Sequence, residues 1–423
     1  MIHNISNRDK VNKKLTQSDL DKIVILNTIR KSSLPLTRTK IAQITGIRLP
    51  RITHYVKNLI CDGFIIEDIP QQKSNKEPRK NIPLKINGQK GFVIGIELHP
   101  DWISGVLVDL AGNLVKKTTK KPDLSKGTNY IIDMLIGTIN EIGEGYILPE
   151  KKILKIGISD PGLVDIKKGI SIFSTIIDGW ENIPLGDIIS EKFKIPVIIE
   201  SAPRAKAWAE KCIGAGKDVN NLIFIEYGPG IGAGIIMDGK LFYGTQYTAG
   251  EFGHTYIKEN RQPCTCGASG CLESLVSTAA IIKHVRSSIE EGTVSSVSEL
   301  VDGDLNNITF EVILKAAKMK DKLCMNHLDE IGEYIGIGIA NLVNLFNPEM
   351  IMFDNQLAQI DNFLITTIEN IVKRRALSQA TKSLKFEVSN IGTEKGALGV
   401  SVLVLDQIFK TADGWERSVC KNV

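Results

Sequence analysis

The feature that most constrains this chain is a run of metal-ligand side chains past its midpoint. Residues 250–274 read GEFGHTYIKENRQPCTCGASGCLES, with His254, Cys264, Cys266 and Cys271 spaced H-x9-C-x-C-x4-C. Three thiolates and one imidazole make the ligand set of a closed tetrahedral Zn2+ site, and Gly267 and Gly270 let the backbone wrap a small ion. A chance cluster holding a disulfide is the weaker reading, because a Cys-x-Cys pair bridges poorly. Four protein ligands leave no position for an activated water, so a structural zinc is expected, one per chain. Such a metal would also fix Glu251, three residues before one ligand, and Glu273, two after another. Acceptor-only carboxylates held this way suit pairs of sugar hydroxyls, although two solvated acids would look the same in sequence.

A chain of 423 residues, 43% hydrophobic and 24% charged, has the composition of a soluble protein with two or three domains. It has no run of 18 apolar residues and no signal peptide, so a cytoplasmic location without membrane insertion is expected. Seven cysteines, an odd number with three in one metal motif, fit a reducing compartment. Charge is unevenly placed. Residues 1–86 hold 17 Lys/Arg against 7 Asp/Glu, whereas the whole chain carries only +4. A basic head on an acidic body fits a DNA-binding module joined to a regulatory domain.

That head reads as a winged helix-turn-helix over residues 15–86. One helix starts near Ser18 with Leu20, Ile23, Leu26 and Ile29 expected on its inner face. Thr37 caps a short second helix, Gly46 makes the turn, and a third helix runs from near Pro50 to about Cys61 with Ile52, Val56 and Leu59 inward. The second helix of such a pair enters the major groove of double-stranded DNA. Arg48, Pro50, Arg51, Thr53, His54 and Lys57 are its candidate contacts. Residues 63–69 and 81–86 read as wing strands, with Lys73, Lys76, Arg79 and Lys80 between them suited to phosphates. The alternative is a three-helix domain with a merely solvated basic face.

Residues 87–91 (NGQKG) read as a linker. Beyond it come strand signals at 92–115, a helix near 128–142, strands at 153–158 and 196–200, and a Gly-rich hairpin at 221–244. The chain is then mostly helical through 346, with a long apolar helix near 328–345 whose small residues suggest close packing, a contact between subunits being one form of it. A strand at 350–353 and a helix at 395–409 follow.

The motifs GEFGH at 250–254 and CTCGASGCLES at 264–274 resemble the signature of the ROK family (repressors, open reading frames, kinases). GISDPGLVD at 157–165 and DGW at 178–180 resemble further landmarks of that family. The resemblance runs from about residue 15 to about 410. It implies an α/β fold: an N-terminal winged helix-turn-helix on a two-lobed actin/hexokinase-like (ribonuclease H-like) domain. The first lobe would comprise 92–200 plus 393–411, and the second, with the zinc loop and an oligomer interface, 201–392. In that family the matching glutamates and histidine contact a sugar, which makes Glu251, His254 and Glu273 effector ligands.

The resemblance also exposes losses. Family kinases open with D-x-G-G-T, a turn whose amides meet phosphate; here stand Glu97-Leu98-His99-Pro100-Asp101. Proline has no N–H, and an acid there repels phosphate. The adenine-side Gly-Gly is replaced by Asp354-Asn355. Where kinases carry E-N-D-x-N, with its Asp as catalytic base, this chain has Glu200-Ser201-Ala202-Pro203-Arg204. Alanine cannot take a proton. GPGIGAG at 228–234 keeps its glycines, which serve phosphate binding or close packing equally well.

The expectation is therefore a regulator without catalytic activity, a repressor of carbohydrate genes, working as a homodimer or homotetramer. Its ligand would be a sugar or sugar derivative, with Ser201 and Arg204 completing the site and Arg204 favouring an anionic one. Docking of a sugar-transport subunit in place of a sugar is the alternative mode of control.

Overall fold

The computed structural model describes residues 15–411 except 33, 69–80, 148–151, 175, 260–262 and 361. Lys73, Lys76, Arg79 and Lys80 fall outside the described residues.

Three helices, Gln17–Lys31, Arg38–Thr45 and Leu49–Cys61, precede an antiparallel pair of short strands, Ile65–Glu67 and Leu84–Ile86. Thr16 and Asp19 form a reciprocal capping box on the first helix. Thr37 accepts from the Lys40 amide, and Gly46 at φ 71° ends the second helix in the left-handed region. Arg38, buried, reaches Glu67 of the strand pair at 2.6 Å, pinning the second helix to the wing position. The inner face of the first helix differs from the expected one. It carries Asp21, Ile25, Leu26 and Ile29, whereas Leu20 is 42% exposed. A spacing of three drifts off a 3.6-residue period, and the i, i+4 set wins the core.

Two five-stranded sheets follow. The first orders Val197–Ser201, Ile153–Asp160, Phe92–Leu98, Ile103–Asp109 and Leu114–Lys120; the second orders Lys240–Leu241, Ile231–Met237, Leu222–Tyr227, Met350–Phe353 and Lys385–Val388. A small sheet of Leu163–Asp165, Ile170–Phe173 and Glu181–Ile183 stands at the margin of the first. Helices Ala202–Ile213 and Lys395–Thr411 cross between the large sheets. Their approach depends on small residues: a Cβ on Gly399 would collide with the Ala205 carbonyl, and one on Gly95 with the Ala397 carbonyl.

The long helix spans Lys322–Phe346, and its glycines face the same chain rather than a second subunit. A Cβ at Gly336 would lie 2.7 Å from Ile371 Cβ, and one at Gly338 2.8 Å from the Phe252 ring. The seat at Gly338 holds the buried Phe252 and so the loop that carries Glu251 and His254.

The N-terminal unit is docked on this body. Ile25, Leu26 and Ile29 share one apolar cluster with Val93, Val106 and Val108 of the first sheet and Leu405, Ile408 and Phe409 of the last helix. Asn27 donates to the Phe409 carbonyl at 3.0 Å, and the Arg30 guanidinium lies 4.9 Å from the centre of the Phe409 ring.

Candidate functional site

His254, Cys264, Cys266 and Cys271 converge, their ligand atoms all within 4.8 Å of one another. Cys264 Sγ lies 3.5 Å from His254 Nδ1, and Cys266 Sγ 3.8 Å from Cys271 Sγ. Metal–ligand bonds of zinc in tetrahedral array put sulfurs about 3.8 Å apart and sulfur and nitrogen about 3.5 Å apart. A disulfide needs sulfurs at about 2.05 Å. The donor set and its spacing fit a closed metal site. Gly267 (φ 89°) and Gly270 (φ 76°) turn the loop through conformations that side chains resist.

The loop forms one wall of a cleft of about 340 Å³, to which it contributes Glu251, His254, Thr265, Cys266 and Glu273. Glu273 Oε1 and Oε2 lie 3.4 Å from the Thr265 hydroxyl and the Ile231 amide respectively. Burial raises the Glu251 carboxyl above its ordinary range, and nearby Glu273 adds to this, while His254 and Arg204 oppose it. The opposite wall is apolar: Pro161, Leu163, Phe173 and Ile176. A volume at the lower end of small-molecule pockets suits a monosaccharide-sized ligand.

Ser201 and Arg204 also line the cleft, but Arg204 is not available to an anion. It is 2% exposed; its Nε donates to Glu200 Oε1 at 2.7 Å and its Nη1 to the carbonyls of Tyr247 at 3.0 Å and Ala249 at 3.3 Å. Ser201 N–H shares the same Glu200 oxygen at 2.9 Å. This counts against the preference for an anionic ligand expected from the sequence: an i, i+4 carboxylate across the strand–helix junction already neutralises the guanidinium.

Deeper, the segments that depart from the kinase pattern meet in one buried charge cluster. Lys206 Nζ lies 3.2 Å from Glu97, 2.6 Å from Glu226 and 3.3 Å from Asp354, and Lys395 Nζ lies 2.9 Å from Asp354. Glu97 further accepts the Gly396 amide at 3.1 Å. Burial alone would raise the Asp354 carboxyl, yet Lys206 and Lys395 hold it down to about 2. The same burial works against the Lys206 ammonium, and its three carboxylates outweigh it. His99 stacks on Trp102 at 3.6 Å, and burial beside Lys206 keeps it neutral. The cluster joins both large sheets and both crossing helices. Sequence flags Glu97 and Asp354 separately; that both meet Lys206, and that Asp354 also meets Lys395 from a second helix, is not visible in it.

In the Gly-rich hairpin, a Cβ at Gly232 would lie 2.8 Å from Pro203 Cγ, and one at Gly234 would strike the Pro203 carbonyl. Close packing explains both glycines.

The sequence profile of the ROK family matches residues 93–407. The chain belongs to the ROK family. A xylose repressor of Caldicellulosiruptor bescii is 30% identical over 390 residues, covering 92% of this chain and 96% of that protein. A crystal structure of a ROK family transcriptional regulator, a homologue of the E. coli MLC protein, superposes with a TM-score of 0.77 at 26% identity, covering 93% of this chain and 96% of that one. A ROK family glucokinase from Streptomyces griseus, solved with glucose and AMPPNP, gives a TM-score of 0.63 at 25% identity, covering 74% and 99%. The regulator thus covers more of this ROK chain than the kinase does, 93% against 74%, and the chain has the two-lobed actin/hexokinase-like fold.

On the N-terminal unit of the ROK protein, Pro50, Arg51, Thr53, His54 and Lys57 are all exposed on the helix Leu49–Cys61, and Arg48, its N-cap, is exposed beside them. Ile52, Tyr55, Val56 and Leu59 are buried beneath them. Arg51 is oriented by Asp21 of the first helix at 2.6 Å and lies over the Tyr55 ring. Sequence reading missed Asp21; an acid amid the apolar positions of the first helix was its only signal. Among the described residues no helix is long and apolar enough to cross a membrane.

Proposed function

We propose that this ROK protein is a sugar-responsive transcriptional repressor that binds operator DNA through the Leu49–Cys61 helix and carries no kinase activity. The observation that carries the reading is the buried cluster of Lys206, Lys395, Glu97, Glu226 and Asp354, joined to alanine at the base position, Ala202. Of these charges Glu226 lines the cleft and the other four line a separate cavity of about 80 Å³, so the lysines are paired where phosphoryl transfer needs free donors, and Ala202 offers no proton acceptor. The metal loop and the carboxylates facing the cleft are kept. Sensing survives where chemistry does not.

The metal is zinc, held by His254 Nδ1 and the three thiolates, and its part is structural: it fixes Glu251 and Glu273 beside the opposite edge of the His254 ring. The effector is neutral. Arg204 and Lys206 are paired inside the protein, and Glu226, Glu251 and Glu273 line the cleft, so among the described residues that line it a phosphorylated sugar meets carboxylates and no unpaired lysine or arginine. The C. bescii relative's name makes xylose the first sugar to try.

The test uses DNA fragments selected from random sequence by the full-length protein. Arg51→Ala should lower affinity for the selected site by about ten- to a hundredfold and for random DNA much less. Xylose, glucose or N-acetylglucosamine should then change operator affinity. Operator binding by residues 87–423 alone would refute the DNA assignment. Indifference to every neutral sugar would instead favour control by a docked transport protein.

A further inference from the structure

The two walls of the cleft differ in chemistry: one carries Glu251, His254 and Glu273, the other Pro161, Leu163, Phe173 and Ile176. Leu163 and Phe173 are cross-strand partners in the small sheet. Partners across a ladder point to the same side, and both line the cleft with Ile176 and Pro161 beside them. Phe173 is 40% exposed, a large apolar ring left open at the margin of a polar site. Such a ring costs hydration unless something covers it. Its position is held from both sides. A Cβ on Gly162 would strike the Phe173 carbonyl, so glycine there lets the strands close, and Lys167 of the same hairpin places its ammonium 5.0 Å from the centre of the Tyr247 ring in the opposite lobe. Tyr247 itself sits at φ 62°, its carbonyl taken by Arg204. Backbone held in the left-handed region by its surroundings is a feature of ligand-shaping loops.

A pyranose is amphipathic in the same sense as this cleft. Its ring presents a flat face of C–H bonds and a rim of hydroxyls. Glu251, His254 and Glu273 supply acceptors and a donor for the rim, and nothing on their wall serves the face. We propose that Phe173, backed by Leu163, is the platform on which the C–H face of a neutral pyranose stacks, and that it makes the site selective for a closed sugar ring over an open polyol. This rests on the sugar-sensing reading above and adds to it a specificity-determining residue. An acyclic alditol has the hydroxyls but no flat apolar face, so it gains little from the ring.

The experiment is calorimetric titration of the zinc-loaded full-length protein with xylose, glucose and N-acetylglucosamine, and with xylitol and sorbitol, using wild type, Phe173→Ala, Phe173→Tyr and Glu251→Gln. Wild type should bind at least one pyranose more tightly than the alditols. Phe173→Ala should weaken that pyranose roughly tenfold or more and narrow its advantage over the alditol, with Phe173→Tyr restoring both. Operator binding without sugar should stay as in wild type for both Phe173 variants, which reports that they are folded. If Phe173→Ala binds the pyranose as wild type does while Glu251→Gln loses it, the platform is wrong and the sugar site stands. If neither variant changes binding, or no sugar binds to wild type, the sugar site is wrong and the platform falls with it.

Discussion

Trp208 donates its indole N–H to Asp406 Oδ2 across 3.0 Å, and the other oxygen of the same carboxylate pairs with Arg30 of the N-terminal unit. One buried acid on the last helix thus ties the helix that begins at the cleft to the first helix of the N-terminal unit. Trp208 stands one turn from Arg204, and Asp406 about 16 Å along its helix from Lys395 of the charge cluster. A ligand that alters the angle between lobes must move these helices against each other or strain this junction.

Replacing Trp208 by Phe removes the donor and keeps the ring. Stability should fall by about 1.5–3 kcal/mol, the worth of a hydrogen bond to a charged group. Sugar affinity and sugar-free operator affinity should stay close to wild type, while the effect of one on the other shrinks. Coupling free energy is the quantity to measure, by operator titration with and without saturating sugar. An undiminished coupling in Trp208→Phe would falsify this route.

Zinc removal tests the metal loop. Dialysis against a chelator, or Cys266→Ser, should lower the melting temperature by roughly 5 °C and abolish the stabilisation given by sugar. Metal content by mass spectrometry of the protein as purified should read one zinc per chain. Unchanged sugar binding in the metal-free protein would show that Phe252, seated on Gly338, is enough to hold the loop.

How far such features are legible in sequence depends on how local their cause is. The metal ligands lie within 18 residues of one another, and the Thr37 cap and Gly46 turn are set by their neighbours, so ligand type and spacing suffice. Arg204 misleads because its partner Glu200 belongs to a strand and Arg204 to the following helix; only the fold shows that the two side chains meet. The charge cluster is harder still. Glu97 and Lys395 are almost 300 positions apart, and neither is unusual until both are found buried in one chain of pairs that runs through Lys206 and Asp354. The glycines of the long helix announce close packing but not against what.

Lys206 is the hub of that cluster and 2% exposed. Lys206→Met leaves Glu97 and Glu226 without their shared cation, and the expected loss is about 3–5 kcal/mol of stability. Adenine nucleotides should leave the melting temperature of the wild-type protein unchanged at millimolar concentration, because Lys206 and Lys395 already have their anions. A nucleotide-dependent rise in melting temperature, or turnover of ATP with any sugar, would return this protein to the kinases.

Asp160 gives a pH signature. It ends the strand that leads into the Pro161–Leu163 wall, and it is fully buried. Burial raises its carboxyl from 3.8 to about 6, against the opposing pull of the Gly162 amide at 2.8 Å and the Ser171 hydroxyl. A carboxyl whose folded pKa lies above its unfolded one disfavours the folded state once it must ionise. The unfolded chain gives up its proton from about pH 4, the native protein only near pH 6, so the penalty grows across that window and is constant above it. Asp160→Asn removes the ionisation and can keep the contact with the Gly162 amide. Relative to wild type, the variant should therefore gain about 2 kcal/mol in unfolding free energy between pH 4.5 and pH 7. Denaturant titrations of both proteins at the two pH values measure this difference of differences. No gain across this interval would mean that Asp160 is already ionised in the native state at pH 4.5, with the Gly162 and Ser171 donors outweighing burial.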